Sequence, residues 1–361
     1  MMDPIAPVAV DAMGGDHAPG AIVQGAVNAA RQGRPVVLVG AEDRVRDELR
    51  RLRAPPSLPI EVRNASEVVE MHDHPGQAMR RKKQNSIRVC FELVASGQAS
   101  AMVSAGNSGA VMAGAILVLG RPAGVERPAI ITPLPALKGS PIMLDMGAVV
   151  DAKPIHLVQF ALMGETYMRR VFGVVRPRVA ILANGEEDSK GTELTRTAAA
   201  ALRRSTIEFV GYCEGRDLLT GEFDVIATDG FTGNVALKTM EGTAKVVGEY
   251  LKRALHSSTR AKIGGLLAKP ALEGMKKRMD WREVGGAPLV GVNGVGVISH
   301  GRSDALAIEN AIRRAGDAAR THFTDEIAQA VAPSEALLAQ AAAAEPGDGD
   351  LTRARAPSPG A

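Results

Sequence analysis

The chain has 361 residues, of which 45% are hydrophobic, 23% are charged and 3% are aromatic. Its 43 lysines and arginines nearly balance 40 aspartates and glutamates, and this balance, with few aromatic rings, argues against a nucleic-acid-binding protein. Cys90 and Cys213 lack the C-x-x-C spacing of a zinc or disulfide site, which favours a reducing compartment. With no secretory signal and no long apolar run, we expect a cytoplasmic protein that does not span a membrane.

Short apolar segments alternate with helix-length amphipathic segments along most of the chain. We predict strands at 7–10, 36–39, 101–103, 142–144, 178–182, 208–210 and 225–227. The alternation predicts an α/β fold with a mainly parallel sheet covered by helices on both faces. Ligands of such sheets bind at the loops that follow the carboxyl ends of the strands, and the glycine-rich and charged segments fall in those loops.

The loop after the first strand combines paired glycines with polar side chains. Gly14 and Gly15 allow the backbone to approach a ligand closely, and Asp11, Asp16 and His17 are near enough in sequence to reach it. The alternative is a tight turn between strand and helix in which Asp16 caps the helix.

A second glycine-containing loop precedes a helix of small residues. Its residues Gly106, Asn107, Ser108 and Gly109 would place several backbone N–H groups at a helix N-terminus, which favours anion binding. The segment matches neither the dinucleotide fingerprint nor the nucleotide-binding P-loop, so phosphate is a simpler ligand than a nucleotide. An ordinary capped turn explains the segment equally well.

Segment 184–193 carries a lysine among glycines and hydroxyls directly after a predicted strand. The ammonium group of Lys190, followed by Gly191, could neutralise phosphate or a developing oxyanion. The alternative is a solvated lysine that pairs with nearby acids.

Segment 229–234 opens a long helix. Gly233 would expose backbone donors, Asn234 could hydrogen-bond to a substrate oxygen, and Lys238 would lie one turn further along. Capping of the helix by Thr232 or Asn234 is the structural alternative.

The later part of the chain offers one candidate base. His300 lies in a glycine-rich turn, although a lone histidine in a turn more commonly satisfies local hydrogen bonds. Neither clustered carboxylates nor His-x-x-x-His spacing indicates a metal, and we expect no metal or other cofactor.

Apolar spacing predicts a projecting helical hairpin at 234–282 within one domain spanning 5–331. The tip of the hairpin would carry the apolar residues Ile263, Leu266, Leu267 and Leu272. These side chains could enter a bilayer interface beside nearby lysines, or they could be buried in a dimer. Residues 332–361 are rich in alanine, proline and glycine, and we expect a disordered tail.

A concentrated basic segment consists of Arg80, Arg81, Lys82 and Lys83. Such a segment suits the docking of an acidic protein, whereas the simpler explanation is a solvated helix face.

Taken together, these segments resemble the phosphate acyltransferase PlsX family, the acyl-ACP:phosphate transacylases. The matching segments are 8–20, 71–83, 103–114, 144–163, 184–193, 211–238 and 285–305. The resemblance implies a Rossmann-like α/β/α sandwich, related to phosphotransacetylases and isocitrate-dehydrogenase-like enzymes. It also implies a homodimer formed through the hairpin, in a cytoplasmic enzyme attached peripherally to the membrane. The family usually has asparagine near Val149 and cysteine at Ala152, so a cysteine nucleophile is disfavoured here.

The resemblance further implies acyl carrier protein and inorganic phosphate as substrates, with acyl phosphate as the product used in phospholipid synthesis. We expect the paired glycines after the first strand and residues 106–109 to bind phosphate, while Lys190 and Asn234 stabilise the oxyanion. Lys238 and His17 are further candidates, Asp11 and Asp16 would orient neighbouring groups, and residues 80–83 would bind the carrier.

Two other classes of function compete with this hypothesis. A nicotinamide-dependent dehydrogenase would show a dinucleotide fingerprint or a set of metal-binding carboxylates. A scaffold that binds carrier protein or lipid would need the basic segment and the hairpin without the phosphate loops.

Overall fold

The computed structural model describes residues 6–187 and 189–344, which form an α/β fold with two sheets. The seven-stranded sheet runs, in spatial order, β3 (Ile60–Asn64), β2 (Val36–Gly40), β1 (Val8–Asp11), β4 (Ala101–Ser104), β12 (Gly296–Ile298), β11 (Ala287–Val290) and β5 (Ala129–Ile130). The five-stranded sheet runs β6 (Thr132–Pro133), β7 (Ile142–Leu144), β10 (Val225–Ala227), β8 (Arg178–Leu182) and β9 (Glu208–Cys213). The predicted α/β fold class is confirmed.

Helices connect most of these strands. They are α1 (Gly20–Arg31), α2 (Glu42–Arg51), α3 (Pro75–Arg81), α4 (Ser86–Ala95), α5 (Ser108–Gly114), α6 (Pro154–Val171), α7 (Glu193–Leu202), α8 (Gly230–His256), α9 (Thr259–Arg278), α10 (Trp281–Val284), α11 (Ala305–Ala319), α12 (Thr324–Val331) and α13 (Ser334–Ala344). A turn of π-helix at Ala115–Leu119 continues α5. Among the described helices, none is both long and apolar enough to cross a membrane.

The strands are divided between two sheets, where the sequence predicted one. β5 and β6 are separated by Ile131 alone, yet they belong to different sheets, so the chain passes from one sheet to the other there. β11 pairs antiparallel with β12 and β5, and β6 pairs antiparallel with β7. Such short strands have too few residues for their apolar pattern to indicate a pairing partner.

The two sheets share one hydrophobic core. Its largest cluster contains Val10 and Val103 from the first sheet together with Leu144 and Ala227 from the second. The inner strands are buried on both faces, which explains why they are continuously apolar rather than alternating.

The helical hairpin is present, but its boundaries differ from the prediction. α8 begins at Gly230 rather than Asn234, and α9 begins at Thr259. Ile263, Leu266 and Leu267 therefore lie inside a helix rather than in a loop at the tip. The adjacent glycines 264 and 265 lie within α9, because glycine reduces helix propensity without preventing a helix.

The prediction of a disordered tail from residue 332 is wrong for residues 334–344. They form α13, in which Leu337 and Ala341 are buried in the same core as α6 and α7. Alanine has the highest helix propensity, and burial of one face supplies the stability that composition alone did not reveal. Residues 345–361 lie outside the described residues.

Shortening a buried side chain of α13 tests this packing. We expect Leu337→Ala to lower the free energy of unfolding by about 2–4 kcal/mol, since it removes buried methyl groups and leaves a cavity. Gln340→Ala on the exposed face of α13 should change it by less than about 0.5 kcal/mol. Chemical denaturation of both variants measures the difference, and equal midpoints would show that α13 does not pack on the domain.

Candidate functional site

Three loops leave the first sheet at the same edge. Val10 of β1 pairs in parallel register with Val103 of β4, and Ile298 of β12 pairs with Ser104. The loops after these strands, Asp11–Asp16, Ser104–Gly109 and Ser299–Gly301, therefore begin side by side, and we call them the glycine loops. This is the edge of an α/β sheet at which ligands bind.

Asp11 connects two of the glycine loops through a buried hydrogen-bond network. Its Oδ1 accepts from the Met13 N–H at 3.1 Å, and its Oδ2 accepts from the Ser104 hydroxyl at 2.6 Å. The Ser104 oxygen in turn accepts from the Gly106 N–H at 3.1 Å. Burial raises the pKa of Asp11, and the hydrogen bond from Ser104 opposes that rise. Both oxygens of this buried carboxylate therefore accept hydrogen bonds from the protein itself, and the group is not exposed to a ligand.

Gly14 brings the backbones of two loops into direct contact. A Cβ on Gly14 would lie 2.4 Å from Asp11 Oδ2 and 2.7 Å from the Gly106 nitrogen. No other residue fits there without displacing the backbone. The predicted phosphate-binding residues Gly14 and Gly106 are therefore brought together, and Gly15 lies beside Ala105.

Both the oxygen and the nitrogen of the Asn107 side-chain amide form hydrogen bonds within the protein. Its Oδ1 accepts from the Ala110 N–H at 3.1 Å and so caps α5. Its Nδ2 lies 3.4, 3.1 and 3.4 Å from the carbonyl oxygens of Glu70, Met71 and Asp73. The capped-turn interpretation is correct for this side chain, while Ser108 and Gly109 next to it are exposed.

The first loop also contacts the loop after β12. The Asp16 N–H donates to the Gly301 carbonyl at 2.8 Å, and the Asp16 and His17 side chains are exposed. Asp16 does not cap a helix, because α1 begins at Gly20 with Pro19 at its N-cap and no side-chain cap.

His300 lies in the loop after β12, which is one of the glycine loops. Its Nδ1 accepts from the Arg302 N–H at 3.1 Å. Burial, then the positive charges of Arg302 and Lys238, lower its pKa, whereas Glu241 and Asp16 act in the opposite direction.

At the edge of the second sheet, Asp145 has the place that Asp11 has in the first. Leu144 and Ala227 end the neighbouring parallel strands β7 and β10 in register, and Ala227 pairs with Ile181, one residue before the end of β8. The fully buried Asp145 carboxylate accepts from the Ile130 N–H at 3.0 Å, the Ala148 N–H at 2.9 Å and the Val149 N–H at 2.6 Å. Burial raises the pKa of Asp145, and these backbone donors oppose the rise.

The N-terminus of α8 packs directly on the Asp145 loop, residues 145–149. The Gly230 N–H donates to the Val149 carbonyl at 2.8 Å, and a Cβ on Gly233 would lie 2.1 Å from the Asp145 carbonyl oxygen. Val149 thus acts through its backbone, so its contacts here do not require the asparagine usual in the family.

The capping of α8 differs from the prediction. The Asp229 side chain caps α8 by accepting from the Thr232 N–H at 2.8 Å, so neither Thr232 nor Asn234 is the capping residue. Asn234 is exposed and lies beside Gly147 of the Asp145 loop. Lys238, one turn further, forms an ion pair with Glu241 at 2.9 Å.

Lys190 lies in the loop after β8, at the same edge of the second sheet as the Asp145 loop. Its side chain is exposed and packs over Gly185, and the Gly191 N–H donates to the Asn184 side chain at 2.8 Å. None of the described contacts joins Lys190 to the glycine loops.

The basic segment contains one half-buried side chain, Lys82, and three exposed side chains. Lys82 donates to Asp73 at 2.5 Å and to the Val68 carbonyl at 2.8 Å, and this pairing lowers the pKa of Asp73. Arg80, Arg81 and Lys83 remain exposed. Lys82 is therefore held by local contacts, while the other three cations are exposed to solvent.

Two surface cavities lie away from the glycine loops. One of about 440 Å³ lies beside β9 and is lined by Glu186, Phe209 and Tyr212, among others. The other, of about 320 Å³, is lined by Ile116, Arg121, Glu126, Arg127 and Pro128. In the described part of the chain, no group of three histidine, cysteine or acidic side chains is arranged to hold a metal ion.

The structure adds two positioning residues that the sequence did not single out, Ser104 and Asp145. The available signal was an aspartate directly after a buried strand with a glycine two or three residues later, as in Asp11 with Gly14 and Asp145 with Gly147. Which backbone donors such an aspartate accepts depends on loops that are distant in sequence.

Adding a methyl group at Gly233 tests the contact between α8 and the Asp145 loop. We expect Gly233→Ala to lower the free energy of unfolding by about 1–3 kcal/mol, because a new Cβ would overlap the Asp145 carbonyl. The control is Gly215→Ala, where no described atom lies within 4 Å of the new Cβ and a change below about 0.5 kcal/mol is expected. Equal stability of the two variants, measured by chemical denaturation, would contradict the contact.

Comparison with known proteins agrees with the predicted resemblance. Residues 6–326 match a family described as "Fatty acid synthesis protein". The phosphate acyltransferase of Anaeromyxobacter sp. (strain K) is 83% identical over 350 residues, which cover 96% of this chain and 97% of the relative. The phosphate acyltransferase of Myxococcus xanthus (strain DK1622) is 53% identical over 335 residues, with coverages of 91% and 94%.

Solved structures with the same fold are more distant in sequence. A phosphotransacetylase from Streptococcus pyogenes has a TM-score of 0.58 at 16% identity and covers 88% of this chain and 94% of its own. EutD phosphotransacetylase from Staphylococcus aureus has a TM-score of 0.55 at 17% identity, with coverages of 87% and 94%. The family match and the curated relatives go further than this shared fold: the chain belongs to the fatty acid synthesis protein family that includes the phosphate acyltransferases, and it is an acyltransferase of lipid synthesis.

Proposed function

We propose that the chain transfers a fatty acyl group from acyl carrier protein to inorganic phosphate. The products would be an acyl phosphate and free carrier protein, and the acyl phosphate would serve phospholipid synthesis. The name of the curated relatives supports phosphate as the acceptor, and the family description supports a fatty acyl donor.

The contact between Gly14 and Gly106 is the observation that carries the proposal. It places two glycine turns from neighbouring strands against each other at the carboxyl edge of the sheet. Glycine turns without side chains leave backbone N–H groups open to a small anion. We assign Gly14, Gly15, Ser108 and Gly109 to phosphate binding, and we assign Gly106, whose N–H donates to Ser104, to the close packing of the two turns.

The reaction needs no protein nucleophile. A phosphate oxygen attacks the thioester carbonyl carbon and forms a tetrahedral oxyanion, and the carbon–sulfur bond then breaks. The thiolate leaves with the bond electrons and takes a proton from solvent. Positioning of the two substrates and stabilisation of the oxyanion are therefore the main tasks of the protein.

The second sheet would supply oxyanion stabilisation. Lys190, with Gly191, and Asn234, with Gly233, follow neighbouring parallel strands, β8 and β10, and both side chains are exposed. We assign them to the oxyanion. Lys238, one turn beyond Asn234, and His17, in the loop after β1, are further candidates, and the buried Asp11 acts by positioning the glycine loops.

The defining experiment incubates the purified protein with acyl-ACP and measures release of the free carrier thiol. The proposal predicts release that requires inorganic phosphate, with acyl phosphate as the product. Absence of release would favour a scaffold function, and a change in nicotinamide oxidation state would favour a dehydrogenase.

Removing the ammonium group of Lys190 tests its role. We expect Lys190→Ala to lower turnover on the order of a hundredfold, as for loss of one oxyanion donor, with an unchanged unfolding midpoint. The control is Lys138→Ala, an exposed lysine before the amino end of β7, which should leave turnover near the wild-type value. Turnover of Lys190→Ala within twofold of the wild type would remove Lys190 from the mechanism.

Acyl carrier protein is acidic, and we propose that Arg80, Arg81 and Lys83 form its docking surface. Their exposed positive charges would speed the encounter by electrostatic attraction. Lys82 stabilises the same segment through Asp73.

The hairpin of α8 and α9 is proposed to serve both dimerisation and peripheral contact with membrane phospholipid at the cytoplasmic face. Leu266 and Leu267 are 71% and 79% exposed, and Ile263 lies in the same segment of α9. Apolar side chains beside the exposed Lys262 and Lys269 suit the interface of an anionic bilayer. Leu272 is only partly exposed and fits this role less well.

Two charged substitutions distinguish membrane contact from burial in a dimer. We expect Leu266→Glu with Leu267→Glu to abolish flotation with anionic liposomes while sedimentation still shows a dimer. The control is Leu137→Glu with Val175→Glu, at side chains that are 88% and 84% exposed but lie outside the hairpin, and it should float normally. Loss of the dimer in the first variant would instead assign these leucines to the subunit interface.

A further inference from the structure

We propose that Asn107 is a positioning residue that fixes segment 70–83 beside the glycine loops, so that the carrier docks within reach of bound phosphate. The inference rests on the proposed function and deepens it. It moves the role of the Asn107 side chain from phosphate binding to placement of the docking surface.

The Asn107 side-chain amide contacts two segments that are distant in sequence. The side chain is 8% exposed, and its Nδ2 lies between three backbone carbonyls of one short turn, those of Glu70, Met71 and Asp73. An amide nitrogen has two protons, so it can satisfy these acceptors only by sharing. Oδ1 meanwhile caps α5, so one side chain joins the Ser104–Gly109 loop to the turn before α3.

The Ser104–Gly109 loop and the start of α3 also meet at a second contact. A Cβ on Gly109 would lie 2.7 Å from Cγ of Pro75, the first residue of α3. The start of α3 therefore touches the loop assigned to phosphate. Asp73 secures the turn further, because it accepts from the Glu70 N–H at 2.8 Å and from Lys82.

The charge distribution of segment 70–83 fits an acidic partner. Lys82 is paired with Asp73, which leaves the positive charges of Arg80, Arg81 and Lys83 exposed at the end of α3. Met71, whose carbonyl contacts the Asn107 side chain, is 58% exposed although it is apolar. A rim with apolar and cationic side chains suits a carrier protein that delivers an acyl thioester.

The test compares two thioester donors in the phosphate-dependent thiol assay, acyl-ACP and an acyl N-acetylcysteamine thioester, which has no protein carrier. Asn107→Ser retains a hydroxyl that can cap α5 but cannot reach the three carbonyls. We expect it to lower the ratio of kcat/KM for acyl-ACP to kcat/KM for the small thioester about tenfold, mainly through KM for acyl-ACP. Asn107→Asp, which places a carboxylate against the same carbonyls, should lower the ratio at least as much.

Matched variants separate docking from general damage. Arg80→Ala should lower the same ratio, whereas Arg176→Ala, a cation before the amino end of β8, should not. Direct binding of fluorescently labelled acyl-ACP gives a second readout, and Asn107→Ser should weaken it by a similar factor. Thermal unfolding of each variant verifies the fold.

An unchanged ratio for Asn107→Ser overturns the inference, whether both activities fall equally or neither falls. An equal fall would return Asn107 to the phosphate site. If the wild-type protein releases no thiol from either donor, the proposed function itself fails, and unchanged carrier binding would then overturn the docking role separately.

Discussion

Two buried aspartates, one at the carboxyl edge of each sheet, accept the backbone hydrogen bonds that shape the loops around the candidate site. Asp11 takes its donors from its own loop and from Ser104, and Asp145 takes three N–H groups from two segments. An unsatisfied buried carboxylate would be very costly, so each loop must adopt the conformation that supplies these donors. The loop conformations thus follow from a local electrostatic requirement.

Glycine residues allow the loops that bind the two buried carboxylates to approach one another closely. Gly14 against Asp11 and Gly233 against Asp145 leave no space for a Cβ, so neighbouring loops pack backbone against backbone. Within each sheet, these loops then lie together at the carboxyl edge of neighbouring parallel strands. A small anion needs donors from several directions, which separate loops can supply and a single turn cannot.

The centre of the candidate site and the elements around it differ in burial and in chemistry. The centre is built from buried, mutually dependent contacts, whereas the surrounding elements carry exposed residues of distinct chemistry. α3 presents cations, and the hairpin presents apolar side chains.

The amino-acid sequence by itself determined the α/β class, the positions of the inner strands and the family. Buried parallel strands are continuously apolar, and several glycine-containing motifs in a fixed order are specific together. Only the tertiary structure decided the division into two sheets, the helix at 334–344 and the internal use of Asn107 and Lys82. Whether a polar side chain binds a ligand or a neighbouring carbonyl depends on which distant segment packs against it. Local sequence does not identify that neighbouring segment, because the contact forms only when the chain folds.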